Sequence, residues 1–350
     1  MSNSITTLYS NLLEKLNTGN KTVIKSIYSD SEISKSIICE DNAEEWVQIQ
    51  ELCSNENTVN DGPVSYLELN NKITLVEKYT PKPRVIILGG GHIALPISQI
   101  AKLADFDVLV FDDRPMFANN ERFPEADEVI CDDFKRLFER VKIRKNDYVV
   151  IVTRGHKHDQ DCLEGVLKSE KPAYTGMIGS KRRVAIVMKQ LEEAGYSKER
   201  LDDVYTPIGL NIGAVTPAEI AVCIVAELIQ VKRMSDEGAD NISCDIEIAE
   251  LLAEKGDSAD ALITILSTTG SVPRETGAKM SMTYEGSIMG TIGGGCAESE
   301  IMQGTRTIIR EGGWKIETID MTDTAEEDGM VCGGHMNVMI ESVNSISLEI

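Results

Sequence analysis

The chain has 350 residues, enough for two or three domains that each bury a core. Its 35 basic and 57 acidic residues leave a formal charge of −22, which argues against a nucleic-acid surface built from clustered lysines and arginines. No apolar run reaches the ~18 residues of a membrane span, and the first residues lack the pattern of a secretory signal. Eight cysteines without a C-x-x-C spacing indicate reduced thiols. We therefore expect a cytoplasmic protein with neither a membrane nor a nucleic-acid partner.

Residues 1–80 carry no chemical motif of their own. A helical pattern of leucines comes first, a β-rich stretch follows at 22–28, and Pro81 and Pro83 end the segment. Two of its stretches can be laid beside later ones: LLEKLNTGNKTVIKSIYSDS beside LLAEKGDSADALITILSTTG, and NNKITLVEKYTP beside GGHMNVMIESVNS. The segment is therefore predicted to be a structural, degenerate repeat of the C-terminal part of the chain.

Residues 84–114 read as a strand, a turn, a helix and a second strand, with the spacing that a nucleotide needs. Gly89, Gly91 and Ala94 occupy the three small positions of a G-x-G-x-x-A fingerprint. The first glycine permits a tight turn, the second lets the backbone approach phosphate, and the alanine lets the helix pack on the strand. Asp112 ends the second strand, where a carboxylate can take ribose hydroxyls. The alternative is a domain of the same fold that binds no nucleotide in the crevice beside this turn. The predicted cofactor-binding residues of this region are Gly89, Gly91, His92, Ile93, Asp112 and Arg114.

From residue 84 to about 238, strand and helix patterns alternate, which predicts an α/β domain with a Rossmann-type, doubly wound parallel sheet over 81–238. The predicted strands are 84–88, 107–111, 127–131, 148–153 and 173–178, and the predicted helices lie near 92–104, 134–142, 160–169 and 180–194. Thr216, Pro217 and Glu219 then supply an N-cap, a first-turn proline and a capping-box glutamate for a long helix that ends near Lys232.

Two loops of this domain carry polar side chains. After the fourth strand, His156, His158 and Asp159 could bind a metal, or the loop could line the crevice while Asp159 caps the next helix. No third histidine lies nearby, and we predict no metal site. The segment GMIGSKRR at 176–183 places cations where a helix starts, which suits an anion, with a solvated basic turn as the alternative. The cations in question are Lys181, Arg182 and Arg183.

Residues 239–350 have a different pattern, which predicts a separate α+β domain. It is expected to contain a helix at 246–255, a strand at 261–268, a hairpin at 284–287, a helix after Cys296, and strands at 314–320 and 335–343. Its motifs are TTGSVPRETGAKM, GTIGGGCAESE and MVCGGH.

The cysteines of these motifs are framed by glycines. Gly293, Gly294 and Gly295 precede Cys296 directly, and a thiol at a helix N-terminus has a lowered pKa. Cys332 precedes another Gly–Gly pair, so two thiols could face one pocket. Such a pair could handle sulfur, hold a soft metal centre or attack an electrophile. Two buried cysteines at glycine turns are the alternative.

In combination these motifs resemble the XdhC/CoxI family, the xanthine dehydrogenase accessory proteins. The matching stretches of the α/β domain are PRVIILGGGHIALPISQIAKLADFDVLVFDDRPMFANNERFPEAD, VVIVTRGHKHDQDCLEGVLK, YTGMIGSKRR and PIGLNIGAVTPAEIAVCIVAELI. Those of the later domain, which is CoxI-like, are GSVPRETGAKM, GTIGGGCAE and MVCGGHMNVMIE. Two features depart from the family pattern. The CoxI-like domain usually comes first, and the usual histidine-aspartate start of the loop after strand four is Thr153-Arg154-Gly155-His156 here.

The resemblance implies an accessory protein rather than a metabolic enzyme. It would bind molybdenum cofactor, as molybdopterin or its dinucleotide form, and support the sulfuration and insertion of that cofactor into a molybdenum hydroxylase such as xanthine dehydrogenase. Cys296 and Cys332 would lie near the molybdenum or its labile sulfur, with Glu298 as a polar neighbour and the glycines 293–295 in the cofactor site. The expected partners are the apo-hydroxylase, a cysteine desulfurase and a second copy of the chain in a homodimer. An NAD(P)-dependent oxidoreductase is the alternative, although no hydride-transfer constellation is visible.

Overall fold

The computed structural model describes residues 4–234, 243–321 and 334–349. Its contacts divide the chain into two compact units. The terminal unit combines residues 1–81 with 241–350, and the middle unit contains residues 82–240. The N-terminal and C-terminal segments, predicted as separate regions, therefore lie in one unit. Among the described helices, none is both long and apolar enough to cross a membrane.

The elements follow one another along the chain in three groups. The N-terminal segment contains α1 (Ile5–Asn17), β1 (Thr22–Ser29), β2 (Glu32–Cys39), α2 (Ala43–Ser54), β3 (Val59–Asp61), β4 (Val64–Leu69) and β5 (Lys72–Tyr79). The middle unit contains β6 (Arg84–Leu88), α3 (Ala94–Leu103), β7 (Asp107–Asp112), β8 (Glu128–Cys131), α4 (Leu137–Arg140), β9 (Asp147–Ile151), α5 (His156–Lys168), β10 (Tyr174–Met177), α6 (Lys181–Glu193), α7 (Lys198–Asp202) and α8 (Pro217–Met234). The C-terminal segment contains α9 (Ile246–Lys255), β11 (Ala261–Thr269), β12 (Lys279–Met282), β13 (Ile288–Gly290), α10 (Gly295–Glu311), β14 (Trp314–Asp320), β15 (His335–Ser342) and β16 (Ile346–Glu349).

The middle unit is built on a five-stranded parallel sheet in the order β10-β9-β6-β7-β8. Strands β6, β7 and β9 are almost continuously apolar and buried, as expected for strands covered on both faces. Two separate apolar clusters cover the sheet. The predicted Rossmann-type fold is confirmed. Because β6 lies between β7 and β9, the strand order reverses beside β6, and the loops after β6 and β9 border the resulting crevice.

Two helix boundaries of the middle unit differ from the prediction. Helix α5 begins at His156, earlier than the predicted residue 160, so Asp159 lies inside the first turn and does not cap the helix. The helix predicted over 134–142 is reduced to the single α-turn of α4, which follows a tight turn at 134–136. At α8 the predicted capping box is present: Glu219 accepts from the N–H of Thr216 at 2.9 Å, and Thr216 Oγ1 accepts from the N–H of Glu219 at 3.3 Å.

The terminal unit contains two sheets. The six-stranded sheet has the order β16-β2-β1-β5-β4-β3, and the five-stranded sheet has the order β13-β12-β11-β15-β14. Helices α1 and α9 pack against each other, and one apolar cluster joins residues of both segments. The cluster includes Leu12 and Ile24 from the N-terminal segment with Leu262 and Met339 from the C-terminal one. Both segments therefore share a core.

The two sheets repeat the same strand pairings at their centres. In the six-stranded sheet, Ser26 of β1 lies opposite Lys35 of β2, and Ile24 lies opposite Glu77 of β5. In the five-stranded sheet the equivalent pairs of β11 with β12 and β15 are Thr264–Lys279 and Leu262–Glu341. Each sheet thus places one lysine and one glutamate on strands that flank its central strand.

These charged residues pair between the two sheets. Lys35 Nζ lies 2.9 Å from Glu341 Oε2, and Lys279 Nζ lies 2.8 Å from Glu77 Oε1; each of the four side chains is at most 1% exposed. Burial by itself would raise the pKa of Glu77, but the charges of Lys279 and Lys35 outweigh it, and the pKa is lowered. Two equivalent buried ion pairs therefore connect the two segments.

Candidate functional site

The turn after β6, residues 89–91, is called the glycine turn below. Gly89 has φ +113°, and a Cβ atom placed on it would lie 2.6 Å from the carbonyl oxygen of Val152 in the loop after β9. A Cβ on Gly90 would overlap the carbonyl oxygen of Phe117. Gly91 differs, because a Cβ placed there would meet no atom of the described residues within 4 Å. The backbone thus requires the first two glycines, while the third faces open space that a ligand can enter.

Asp112 holds the glycine turn from the end of β7. Its carboxylate accepts hydrogen bonds from the N–H of Gly90 at 2.8 Å and from the N–H and Nε of Arg114 at 3.0 and 2.8 Å. Burial alone would raise the pKa of Asp112, but these hydrogen bonds outweigh it and lower the pKa, so the group is ionised at neutral pH. The side chain is only 3% exposed. A ribose hydroxyl would therefore have to displace one of these donors.

A second arginine, which the sequence did not single out, braces the same turn. Arg122 donates from Nε to the carbonyl oxygen of Gly90 and from Nη2 to that of Gly91, each at 3.1 Å. The guanidinium groups of Arg114 and Arg122 both lie over the ring of Phe117, at 3.7 and 5.2 Å from its centroid. The stretch from Arg114 to Arg122 therefore fixes the glycine turn. In the sequence, this role was indicated only by the position of these residues inside a stretch that resembles the XdhC/CoxI family.

The loop after β9 is organised around Asp159, which is fully buried. Asp159 accepts from Thr153 Oγ1 at 2.5 Å and forms an ion pair with Arg183. His158 packs its ring against that of Phe134, with centroids 4.9 Å apart. The side chains of the neighbouring His156 and Lys157 lie outside the described part of the structure. Within the described residues, no group of three or more His, Cys, Asp or Glu side chains could hold a metal ion.

The basic segment lies where the sequence placed it, at the start of α6. Ser180 caps this helix by accepting from the N–H of Arg183 at 3.3 Å. Arg182 is exposed in the first turn, and the side chain of Lys181 is outside the described part. Because Arg183 is paired with Asp159, that cation serves the loop after β9 instead of facing a free anion.

The turn before α10, residues 293–296, is called the cysteine turn below. Gly293, Gly294 and Gly295 have φ values of +140°, +70° and +50°, which side chains with a Cβ rarely adopt. Glu298 accepts from the N–H of Gly294 at 3.0 Å and from Thr291 Oγ1 at 2.6 Å. Its carboxylate therefore orders the turn from within α10, and its predicted part in the chemistry stays a prediction.

The loop of residues 269–277 is called the motif loop below. It contacts the GTIGGGCAESE and MVCGGH motifs of the same segment. A Cβ on Gly293 would lie 2.5 Å from Cγ of Pro273. A Cβ on Gly334 would lie 2.6 Å from the carbonyl oxygen of Thr269 and 2.7 Å from that of Ser271. The three motifs of the C-terminal segment thus meet at this loop.

The structure describes the two cysteines that were predicted to face one pocket to different extents. Cys296 is the second residue of α10, and the structure describes its backbone but not its side chain. Cys332 lies outside the described residues, two positions before Gly334. That both thiols face one pocket therefore stays a prediction.

Two family profiles match the chain and together cover more than half of it. Residues 85–228 match the XdhC Rossmann domain, and residues 253–320 match the profile of the XdhC and CoxI family. The Rossmann domain thus precedes the CoxI-like region in this chain.

Three relatives illustrate the similarity. The Escherichia coli protein YqeB, which is described as uncharacterized, is 35% identical over 159 residues, 45% of this chain and 29% of that protein. A Bacillus subtilis protein, described as a probable xanthine dehydrogenase subunit, is 32% identical over 158 residues, 45% of this chain and 46% of that protein. A crystal structure from Bacillus halodurans, described as a xanthine dehydrogenase, is 28% identical, covers 65% of this chain and 64% of its own, and has a TM-score of 0.48.

The matched region spans less than half the length of either curated relative. The profile matches contain the glycine turn, Asp112 and the cysteine turn described above. The chain belongs to the XdhC and CoxI family.

Proposed function

We propose that this protein is an accessory factor that holds molybdenum cofactor, supports its sulfuration and delivers it to a molybdenum hydroxylase. One observation carries the proposal: the three family motifs meet at the motif loop, beside a cysteine turn that no described residue fills. Among the described residues, a Cβ on Gly294 or Gly295 would meet no atom within 4 Å, so the described structure leaves the backbone directly before Cys296 open to a ligand. A turn of this kind fits a bulky cofactor close to a thiol.

Each unit would contribute its own chemistry to the cargo. In the terminal unit, a thiol in the first turn of α10 is expected to carry more thiolate than an ordinary cysteine, and a thiolate is a ligand that soft metal centres prefer and an acceptor for transferred sulfur. In the middle unit, the open backbone at Gly91 leads into α3, and free N–H groups at a helix N-terminus favour a phosphate. The bound cofactor would supply the redox-active molybdenum that the client enzyme uses.

The partners follow from the same proposal. The name of the Bacillus subtilis relative supports an apo-hydroxylase as the client, and a cysteine desulfurase would supply the sulfur. We also propose a homodimer, for which light scattering on the purified full chain should give twice the chain mass of 38.5 kDa. A single-chain mass at working concentration would contradict the dimer and leave the cofactor proposal intact.

The delivery role is tested by replacing the thiol. We expect Cys296→Ser to lower reactivation of an apo-hydroxylase by cofactor-loaded protein at least about tenfold, the effect of ~1.4 kcal/mol of lost interaction. Cys131→Ser is the matched control, because Cys131 is an exposed cysteine at the end of β8 in the other unit. Wild-type reactivation by Cys296→Ser would contradict the assignment of this cysteine to the cofactor.

An NAD(P)-dependent oxidoreductase is the competing function. No contact among the described residues favours it, because both oxygens of Asp112 already accept hydrogen bonds from Gly90 and Arg114. A fluorescence titration with reduced nicotinamide dinucleotide separates the two functions. Tight binding with turnover would support the oxidoreductase.

A further inference from the structure

The N-terminal segment reaches the motif loop through Asp61, the last residue of β3. One carboxylate oxygen of Asp61, Oδ2, accepts from the N–H of Thr268 at 2.9 Å and from Oγ1 of Thr276 at 2.8 Å. Thr268 stands just before the motif loop, and Thr276 stands near its end. A single oxygen thus ties together the two ends of the loop.

A second contact from the same segment supports the loop base. A Cβ on Gly277, where φ is +86°, would lie 2.5 Å from Cγ of Pro63, so the backbone of Gly277 packs directly against the proline ring. By contrast, the ion pair between Arg274 and Asp245 lies entirely within the C-terminal segment. The base of the motif loop therefore contacts the N-terminal segment through Asp61 and Pro63, while the N–H of Gly277 also donates to the carbonyl oxygen of Ile265, within the C-terminal segment, at 3.0 Å.

The position of the motif loop has consequences for the cysteine turn. Pro273, in the middle of the loop, is the residue against which Gly293 packs. The cysteine turn leads directly into α10, where Cys296 is the second residue. Pro273 thus connects the motif loop to the backbone that carries Cys296.

We propose that Asp61 is a positioning residue of the site that contains Cys296, supplied by the N-terminal segment to a motif loop that the C-terminal segment does not hold alone. The inference deepens the proposed function and rests on it only in taking Cys296 as the working thiol. It gives residues 1–80 a part in the site, although they contain none of the family motifs.

The test measures the reactivity of Cys296 in the full-length protein. Wild type, Asp61→Ala and Asp61→Asn are treated with iodoacetamide between pH 6 and 9, and alkylation of the Cys296 peptide is followed by mass spectrometry. Asp61→Ala removes the oxygen that both donors use. We expect it to change the Cys296 rate about fivefold or more, the factor that one net hydrogen bond represents, and to displace the pH profile of alkylation.

Asp61→Asn keeps an oxygen that can accept both hydrogen bonds, so we expect its rate to stay within about twofold of wild type, inside the effect of one hydrogen bond. Thr276→Val removes one donor from a buried position without a change of shape, and it should move the rate in the same direction as Asp61→Ala. Cys131, alkylated in the same sample, should be unchanged in every variant. Its rate normalises the samples, and Cys39, which is buried in the same unit as Cys296, should stay unreactive unless that unit unfolds.

The proposal is overturned if Asp61→Ala and Thr276→Val leave the Cys296 rate and pH profile at wild-type values. It is equally overturned if Asp61→Asn changes the Cys296 rate as strongly as Asp61→Ala does, because the asparagine oxygen can still accept both hydrogen bonds. These outcomes do not depend on cofactor delivery. Full delivery by Cys296→Ser would contradict the assignment of this cysteine to the cofactor and leave the alkylation comparison unaffected.

Discussion

The glycines of the glycine turn differ in what surrounds their missing side chains. Gly89 combines φ +113° with a close approach to the carbonyl oxygen of Val152, so an alanine there is strained and crowded at once. Gly91 has neither constraint. The fold therefore explains the first glycine, whereas no described neighbour requires the second fingerprint glycine, which the proposed phosphate ligand would explain.

This difference gives a matched pair of substitutions. We expect Gly89→Ala to lower the free energy of unfolding by at least about 2 kcal/mol through strain and overlap. Gly91→Ala should stay within about 0.5 kcal/mol of wild type, as surface substitutions do. Yet Gly91→Ala should weaken retention of a phosphate-bearing cofactor about tenfold, a loss of ~1.4 kcal/mol.

Urea unfolding and cofactor bound per chain are the two measurements for this pair. If Gly91→Ala binds the cofactor like wild type, the open space at Gly91 is not a phosphate site. If Gly89→Ala is as stable as wild type, the backbone constraint at Gly89 has been misjudged.

At the scale of single residues, the sequence revealed positions that follow a spacing rule and missed those that act through distant partners. Gly89, Gly91 and Ala94 were found because the fingerprint has a fixed spacing after a strand. Asp61 could not be found, because it stands in a polar stretch without periodicity and its partner Thr268 is distant along the chain. Such a contact depends on how the two segments pack, which no local pattern encodes.

At the scale of elements, the pairing of strands between the two halves of the terminal unit can be compared with the predicted repeat. The sequence comparison set Ile24 beside Ile263, whereas the strand registers set Ile24 and Leu262 in equivalent places, opposite Glu77 and Glu341. The two patterns differ by one residue. A one-residue shift turns every side chain to the opposite face, but β11 is buried at its first six positions in succession, so its sequence shows no alternation that would reveal the shift.

The buried pair of Lys279 and Glu77 allows an element-scale prediction. Removing one partner leaves an uncompensated buried charge, so Lys279→Met or Glu77→Leu alone should cost about 3–5 kcal/mol. The double variant should cost much less than the sum, since both charges are then gone. The exposed pair of Lys15 and Asp41 in the same unit is the control, where Lys15→Met should cost less than about 1 kcal/mol.

Acid unfolding gives an independent check on this pair. The pKa of Glu77 is lowered in the folded state, so its contribution is fully present above its unfolded pKa of about 4.3 and is lost as the pH falls through the lower folded value. The wild type should therefore lose stability below about pH 4, and the double variant should lose this component of the pH dependence. Single variants that each cost less than about 1 kcal/mol, the level of an exposed pair, would contradict the role given to the buried pair.

At the scale of the whole molecule, the chain divides its two sets of motifs between two units. The middle unit contains the glycine turn on a parallel sheet, and the terminal unit contains the cysteine turn on a pair of sheets built from both ends of the chain. The alternation of strands and helices was sufficient to predict the middle unit. The joint core of residues 1–81 and 241–350 was not predicted, because contacts between the chain ends leave no periodic signal in either segment.

Membership of the XdhC and CoxI family and the open turns at Gly91 and Gly294 lead to one central claim, that the protein carries molybdenum cofactor. The most direct test is mass spectrometry of the small molecule that is bound to the full chain. The wild type and Cys296→Ser are purified in parallel, under anaerobic conditions, from cells that make the cofactor. We predict that a molybdopterin species is released from the wild type and is strongly depleted in the variant. Release of a nicotinamide dinucleotide, or of no pterin from either protein, would contradict the claim.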